Sequence, residues 1–247
     1  MTPTPISVRF EHGAFPFGLG FVAGSMDAFG FIALYGLLPA HVTGNLVLLA
    51  VNLAQGQHGV GMKLAALPIF AFGVAASAWF IGVLRERDRD AFLPAMSLQA
   101  GLIAACLVIS LALPRARGLG DPSAVAVGCF ALLAMSLQNV TMRLVLNNLP
   151  PTTVMTGNVP QVVSDTVAFA FHFPSLRDRE DERRLLSRQA ERMALTLSGF
   201  AMGSLATALG YRAVGASILV VPIVTLLSLL PIGRAALIVS RHSSTTV

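Results

Sequence analysis

Charged residues are scarce in this chain of 247 residues, because Asp, Glu, Lys and Arg together make up only 12%. That share is about half of what soluble globular domains carry, whereas apolar types reach 55%. A soluble chain of this length would lack the residues for a charged surface. The same composition excludes disordered, collagen-like and coiled-coil classes. It therefore predicts a polytopic membrane protein.

Cysteine is also rare, and Cys106 and Cys129 both lie in apolar stretches without CxxC or zinc-ligand spacing. HExxH, GxSxG, P-loop and dinucleotide-binding motifs are absent from the sequence. The formal charge of +5 comes from scattered basic residues, with no basic patch that interleaves aromatics. We therefore expect no enzyme, no metal or cofactor site and no nucleic-acid partner. The expected partner is the lipid bilayer, and a homo-oligomer stays open.

The few charges leave long charge-free runs, most of them close to the 20 or so residues that a membrane-spanning helix needs. These runs are continuously apolar, whereas barrel strands alternate, so they predict an all-α transmembrane bundle. Six elements are long enough for full spans, and the shorter, more polar second and sixth either span or re-enter. Residues 174–192 predict a water-exposed or interfacial helix in a charged loop, with Ser175 as a candidate N-cap. The eight predicted elements cover residues 15–37, 41–56, 64–84, 91–113, 122–147, 153–173, 192–210 and 212–232.

The chain contains an internal repeat, whose clearest sign is a duplicated triplet that we call the first and second TGN motif. Residues 43–45 recur 113 residues later as residues 156–158. We predict two homologous halves, 1–120 and 121–247, each with a long helix, a TGN element and two further helices. The second half also holds the charged loop. Outside the motifs, the repeat pairs Asp27 with Asn139, Asn52 with Asp165, and the stretch from Phe70 to Gly73 with that from Phe200 to Gly203.

The loop charges orient the chain, because cytoplasmic loops are rich in Lys and Arg. Whether all eight elements cross or only six do, most Lys and Arg fall on the side of both termini. We therefore expect both termini in the cytoplasm. Eight crossings would make the halves parallel, whereas two re-entrant TGN elements would make them inverted, as in many transporters. The charge distribution leaves both arrangements open.

Each TGN motif combines residue types that suit the start of a helix within the membrane. Thr is a good N-cap, Gly permits close backbone approach, and Asn supplies both donors and acceptors. Pro39 and the Pro150-Pro151 pair upstream discourage an unbroken helix. We expect a new helix at each motif, whose free N–H groups suit an anion or polar ligand. An ordinary cap that closes a helical hairpin is the alternative.

Asp27 is the one charged residue of the first apolar element, and a carboxylate at membrane depth marks a functional candidate. Asp165 holds a comparable place in the second half, and either can carry a proton or hold a cation. The alternative is a packing role, in which Asp27 pairs with Arg143 or bonds to Gln138 and Asn139. The predicted solute or ion pathway comprises Asp27, Thr43, Gly44, Asn45, Asn52, Gln138, Asn139, Arg143, Thr156, Gly157, Asn158, Gln161 and Asp165.

Small residues recur every four positions in the first and seventh elements, at Gly20 and Gly24 and at Gly199 and Gly203. This spacing lets helix backbones approach closely. We expect these faces to pack within the molecule rather than to form a dimer interface. His41 lies beside the first TGN motif and belongs to the residue type that titrates near neutral pH, although a lone histidine more often makes a simple polar contact.

Two stretches of the chain resemble the YoaK-like family of bacterial inner-membrane proteins: GFVAGSMDAFGFIALYGLLPAHVTGNLVLLA and AMSLQNVTMRLVLNNLPPTTVMTGN. The resemblance extends over nearly the whole chain, and Ser136 departs from it where a Gly is expected. It implies a multi-pass protein of the bacterial inner membrane, with about six spans. The family is a domain of unknown function, so the resemblance implies no substrate or reaction. Its most specific positions are Gly24, Asp27, Ala28, Gln138, Asn139, Arg143 and both TGN motifs.

These patterns together favour a small-solute secondary transporter or permease, with a polar mid-membrane site between the two halves. The alternative is a non-transporting scaffold, sensor or partner-binding subunit that uses the charged loop 174–192. In that case the buried polar residues would be fixed hydrogen bonds between helices.

Overall fold

The computed structural model describes residues 13–56, 60–112, 121–146 and 180–244, together with positions 149, 160 and 167. Within these residues every regular element is helical, as the apolar runs predict. A 3₁₀ turn at Gly215–Leu219 separates the last two helices. The helices are α1 (Ala14–Ala33), α2 (Gly44–Ala54), α3 (Val60–Glu86), α4 (Phe92–Ala112), α5 (Pro122–Leu144), α6 (Glu180–Val214) and α7 (Val220–Ser244).

Five stretches of the described chain are long and apolar enough to cross a membrane. Four are α1, α3, α4 and α5, and the fifth is a run of 47 residues through α6, the 3₁₀ turn and α7. Large apolar side chains stay exposed on the outside of these helices, among them Phe72 and Trp79 of α3. Such exposure is typical of positions that face lipid. The chain is therefore a multi-pass membrane protein. With 11 residues, α2 covers only about half of the hydrocarbon core.

The helix boundaries follow local backbone chemistry. Asp121 accepts a hydrogen bond from the Ser123 N–H at 2.9 Å, and Pro122 occupies the first position of α5, which suits a residue without an N–H. Tyr35 and Gly36 have φ of 54° and 83°, and this left-handed pair ends α1 before the predicted residue 37.

The charged segment before the seventh predicted element differs from its prediction. From Glu180 onward it belongs to α6, which continues without a break to Val214. It is therefore not a separate helix that stops at residue 192, because nothing in 180–192 interrupts the helical backbone. Ser175 and most of the predicted element 153–173 lie outside the described residues.

Aromatic contacts define the two ends of the bundle. At the Phe92 end, the rings of Phe15 and Phe92 have centroids 5.9 Å apart, and Gly233 of α7 lies against Phe92. At the Tyr211 end, the rings of Phe29 and Tyr211 have centroids 6.0 Å apart. Consequently α1, α4 and α6 run from the Phe92 end to the Tyr211 end, and α7 runs back.

Helices α3 and α5 lie side by side and run in the opposite direction to α1. Met62 in the first turn of α3 lies against Gly128 of α5, and Arg85 near the end of α3 donates to the Leu144 carbonyl at the end of α5. Because Cys106 near the end of α4 contacts the early part of α5, α5 is antiparallel to α4. Both α3 and α5 therefore start at the Tyr211 end.

The glycines of α1 and α6 bring the two backbones into contact. A Cβ added at Gly24 would lie 2.1 Å from the Phe200 carbonyl oxygen, and one at Gly203 would lie 2.1 Å from that of Phe21. The Ser204 hydroxyl donates to the Gly24 carbonyl at 3.1 Å. Only glycine permits so close an approach. The prediction that these small-residue faces pack within the molecule is confirmed.

A looser version of this contact joins α3 to α5. The Ser136 hydroxyl donates to the Phe70 carbonyl at 3.1 Å and to the Leu132 carbonyl at 2.7 Å. A Cβ added at Gly73 would lie 2.8 Å from the Cβ of Ser136. The serine that stands in place of the expected glycine therefore fills the helix contact and bonds to the neighbouring backbone.

Candidate functional site

The segment between α1 and α3, residues 34–56, begins and ends at the Tyr211 end, and we call it the re-entrant segment. After α1 ends, the backbone N–H of Ala40 reaches back to donate to Asp27 at 2.7 Å. Asp27 precedes the helix end at Ala33 by six residues, so the chain has returned about 9 Å along α1. α2 then leads to Met62, which lies with Leu37 against Gly128. Both ends of the segment that carries the first TGN motif thus lie at the same end of the bundle.

Asp27 holds residues 40 and 41 of the re-entrant segment on α1, in an arrangement that we call the Asp27 latch. One carboxylate oxygen accepts from the Ala40 N–H, and the other lies 2.5 Å from Nδ1 of His41. The carboxylate is 6% exposed and the His41 side chain 28% exposed. On its other side, the His41 ring packs edge-on against Phe200 of α6, with centroids 5.1 Å apart. Irregular backbone at membrane depth is tolerated only where such partners satisfy it.

Asn45 closes the same segment from within. Its amide donates to the Leu38 carbonyl and accepts from the Leu38 N–H, both at 2.9 Å. Asn45 is 1% exposed, so it replaces the backbone pairing that Leu38 would otherwise lack. α2 begins at Gly44, as predicted for a helix at the first TGN motif. The expected cap is wrong, however, because Thr43 is exposed and its hydroxyl makes no capping bond.

Lys63 is a buried charge that the sequence reasoning missed. It lies in the first turns of α3, is 2% exposed, and its ammonium group approaches Gly36 at the end of α1. With the Asn52 amide oriented to satisfy both neighbours, its oxygen accepts from Lys63 Nζ at 2.7 Å and its nitrogen donates to the Leu48 carbonyl at 3.2 Å. The signal was present, since Lys63 is the one charged residue between positions 28 and 84.

The predicted polar residues of α5 do not join the Asp27 latch. Gln138 donates to the Leu19 carbonyl of α1 at 3.0 Å and accepts from Gln99 of α4 at 2.5 Å. Arg143 is exposed in the last turn of α5, which lies at the Phe92 end. The recorded partners of Asp27 are Ala40 and His41, so the structure does not show the alternative in which it bonds to Arg143, Gln138 or Asn139. Gln99, which fixes Gln138, was not predicted.

The polar residues of the second half are described only in part. Asn139 is buried in α5, at the place that the repeat pairs with Asp27. The second TGN motif and its neighbours lie outside the described residues, so their meeting with the first motif stays a prediction. These residues are Thr156, Gly157, Asn158, Gln161 and Asp165.

Two further features bear on what the described residues can bind. No group of three His, Cys, Asp or Glu side chains among them could hold a metal ion. A cavity of about 440 Å³ opens at the Tyr211 end, and its mainly apolar lining includes Tyr35, Ser110, Ser123 and Tyr211. This cavity lies at the end where the re-entrant segment begins.

Comparison with known proteins gives a family match. A family model described as "Protein of unknown function (DUF1275)" matches residues 15–232. That range runs from the start of α1 into α7, and it includes the re-entrant segment and both TGN motifs. No curated protein and no solved structure matches the chain significantly. The family description states no substrate or reaction, and the YoaK-like name stays a prediction.

Proposed function

The chain belongs to the DUF1275 family of proteins of unknown function, and we propose that it is a small-solute secondary transporter or permease. Its polar site would lie at mid-membrane, where the Asp27 latch holds the re-entrant segment. Half-helices and irregular backbone at this depth are what transporters use to bind solutes and ions. The observation that carries the proposal is the path of residues 34–56, which enter and leave at one end of the bundle.

The helix directions support inverted halves. α1 and its counterpart α5 run in opposite directions, and so do α3 and α6, and α4 and α7. The contacts correspond as well, because Gly24 meets Phe200 in α6 while its repeat partner Ser136 bonds to Phe70, the repeat partner of Phe200. In transporters with inverted halves, alternating access comes largely from one half rocking or gating against the other around a fixed site. We therefore favour the six-span arrangement with re-entrant TGN elements.

The charge distribution supports one orientation. The α3–α4 turn with its three arginines, residues 85–89, lies at the Phe92 end, as do Arg143 and Arg234. Lys63 and Arg212 are the described basic residues towards the Tyr211 end. Lys and Arg concentrate on the cytoplasmic side, so we place the Phe92 end and both termini in the cytoplasm of a bacterial cell. The re-entrant segment then opens towards the outside.

Reconstitution in liposomes tests the proposal. Uptake of labelled rubidium, acetate, alanine and glycerol would be recorded for the wild type, for Asp27→Asn and for Asp88→Asn. Asp88 is an exposed acid in the α3–α4 turn, which makes it a matched control. We expect uptake of at least one probe in the wild type and in Asp88→Asn, and its loss in Asp27→Asn. Background uptake of every probe by all three proteins would count against a transporter.

One observation favours a second candidate, the non-transporting membrane module. The described side chains that hold the segment bond to groups inside the molecule, since Asn45 bonds both the N–H and the carbonyl of Leu38 and each Asp27 oxygen has a partner. Fixed hydrogen bonds of this kind hold the segment in place without a ligand. The charged start of α6 at Glu180 would then dock a partner protein. Crosslinking in cells from residues 180–192 to one abundant partner, with no uptake in liposomes, would favour this candidate.

A further inference from the structure

We infer that the proton is the coupling ion of the proposed transporter and that His41, not Asp27, carries it; the inference rests on the proposed function. Each Asp27 oxygen already has a partner in the loop, the Ala40 N–H for one and the His41 ring for the other. The role of Asp27 is to position the imidazole and the loop. Histidine is the side chain that changes charge near neutral pH, so the ring bonded to Asp27 is the group suited to take up and release a proton.

The proton has a defined place on the ring. With Nδ1–H donating to Asp27 Oδ2 over 2.5 Å, the lone pair of Nε2 accepts the incoming proton. Among the described residues, the recorded contacts of the ring are Asp27 and Phe200, so no protein group there competes for Nε2. Uptake of a proton changes the Asp27–His41 pair from one net negative charge to a neutral ion pair, and release of that proton from Nε2 reverses the change.

The elements around the pair bring few ionisable groups near it among the described residues. α1 presents Asp27 to the ring, and α6 presents the Phe200 ring, which does not titrate. α3 contributes Lys63, whose ammonium group is bonded to Asn52 at the far part of α2. The His41 side chain is 28% exposed, whereas that of Asp27 is 6% exposed.

Protonation should tighten the latch. Asp27 binds the ring and the Ala40 backbone together, so a charged ring strengthens the contact that holds the loop on α1. Charge-assisted hydrogen bonds are roughly twice as strong as neutral ones. The re-entrant segment is therefore held more tightly in acid than at alkaline pH. In a carrier with this property, a low proton concentration on the open side favours exposure of the polar site.

Hydrogen exchange read by mass spectrometry on the full chain in lipid nanodiscs tests the latch without any solute. Protection of residues 34–43, corrected for the intrinsic pH dependence of exchange, is compared between about pH 5 and pH 8. We expect protection in the wild type to be on the order of fivefold higher in acid, and we expect no pH dependence in His41→Gln. Residues 121–130, a carboxylate-capped helix start without histidine, provide the internal control. The wild-type response needs no substitution, so a variant that misfolds does not remove the test.

Proton-driven uptake in liposomes completes the experiment, with the same four labelled probes and an imposed pH gradient. Uptake that follows the gradient in the wild type and in His242→Gln, but not in His41→Gln, supports the inference. Uptake that ignores the gradient, or protection of 34–43 that is independent of pH in the wild type, overturns the inference and leaves the transporter standing. Absence of uptake of every probe, with and without the gradient, overturns the transporter and the coupling together.

Discussion

Adding one methyl group to Gly24 perturbs one of the closest contacts between the two halves of the chain. The ideal Cβ of an alanine at this position lies 2.1 Å from the Phe200 carbonyl oxygen and 2.8 Å from the Ser204 hydroxyl. The serine can rotate, but the carbonyl belongs to the backbone of α6 and cannot. Gly24→Ala must therefore push α1 and α6 apart.

The size of the effect follows from the geometry. Ordinary contact begins at 3.4 Å, so the facing backbone must retreat by about 1.3 Å, which breaks neighbouring van der Waals contacts. Overpacking of this kind costs about 1–3 kcal/mol. The free energy of unfolding should fall by that amount, which is roughly a fivefold to 150-fold change in the unfolding equilibrium.

Reversible unfolding in mixed micelles, followed through the single tryptophan at position 79, measures this loss. Gly101→Ala in α4 is the matched control, because a Cβ there meets nothing within 4 Å. Helix propensity should make that control more stable by up to about 1 kcal/mol. A Gly24→Ala protein as stable as Gly101→Ala would refute the close α1–α6 contact.

Two further predictions concern buried amides. Asn45→Ala leaves the N–H and carbonyl of Leu38 without partners and should lower the free energy of unfolding by about 1–3 kcal/mol, whereas Val47→Ala on the exposed face of α2 should change it little. Gln99→Leu and Gln138→Leu, measured singly and together, should show a coupling energy of about 0.6 kcal/mol, the average for such bonds between membrane helices. Equal stability of the two α2 variants, or strict additivity of the glutamine pair, would contradict these contacts.

The main helices could be predicted from the sequence because lipid imposes a simple rule. A spanning helix must be apolar over its length, so runs without charge mark α1, α3, α4 and α5 to within a few residues. The packing of α1 on α6 was predictable for a related reason. Glycines every four residues have few uses in a membrane helix other than close approach, and Gly24 and Gly203 have that use.

The contacts of the re-entrant segment could not be predicted. Spacing marks Asp27 and Asn45 as unusual, but their partners Ala40 and Leu38 are backbone groups, which leave no trace in composition. A lone histidine such as His41 more often makes a simple polar contact. Its pairing with Asp27 depends on how far the chain turns back, which the sequence does not show. Thr43 shows the same limit, since a good capping residue stays unused when its side chain faces outward.

Lys63, in the first turns of α3, is a further contact that the sequence does not reveal. It stands between two apolar runs, as a loop charge would. In the fold it is buried against Asn52 and the end of α1, where the carbonyl groups of a helix C-terminus attract a cation. A basic residue that interrupts otherwise continuous apolar sequence can therefore be part of a site rather than a boundary.

The central claim is that residues 34–56 enter and leave the membrane from the same side. Single cysteines at Tyr35, Gln55 and Arg87, all exposed, can be introduced after Cys106 and Cys129 are replaced by alanine, and labelled with a membrane-impermeant maleimide in intact cells and in inverted vesicles. The account predicts that positions 35 and 55 react from one side and position 87 from the other. Labelling of positions 35 and 55 from opposite sides would show that the first TGN element crosses the membrane, and would contradict the account.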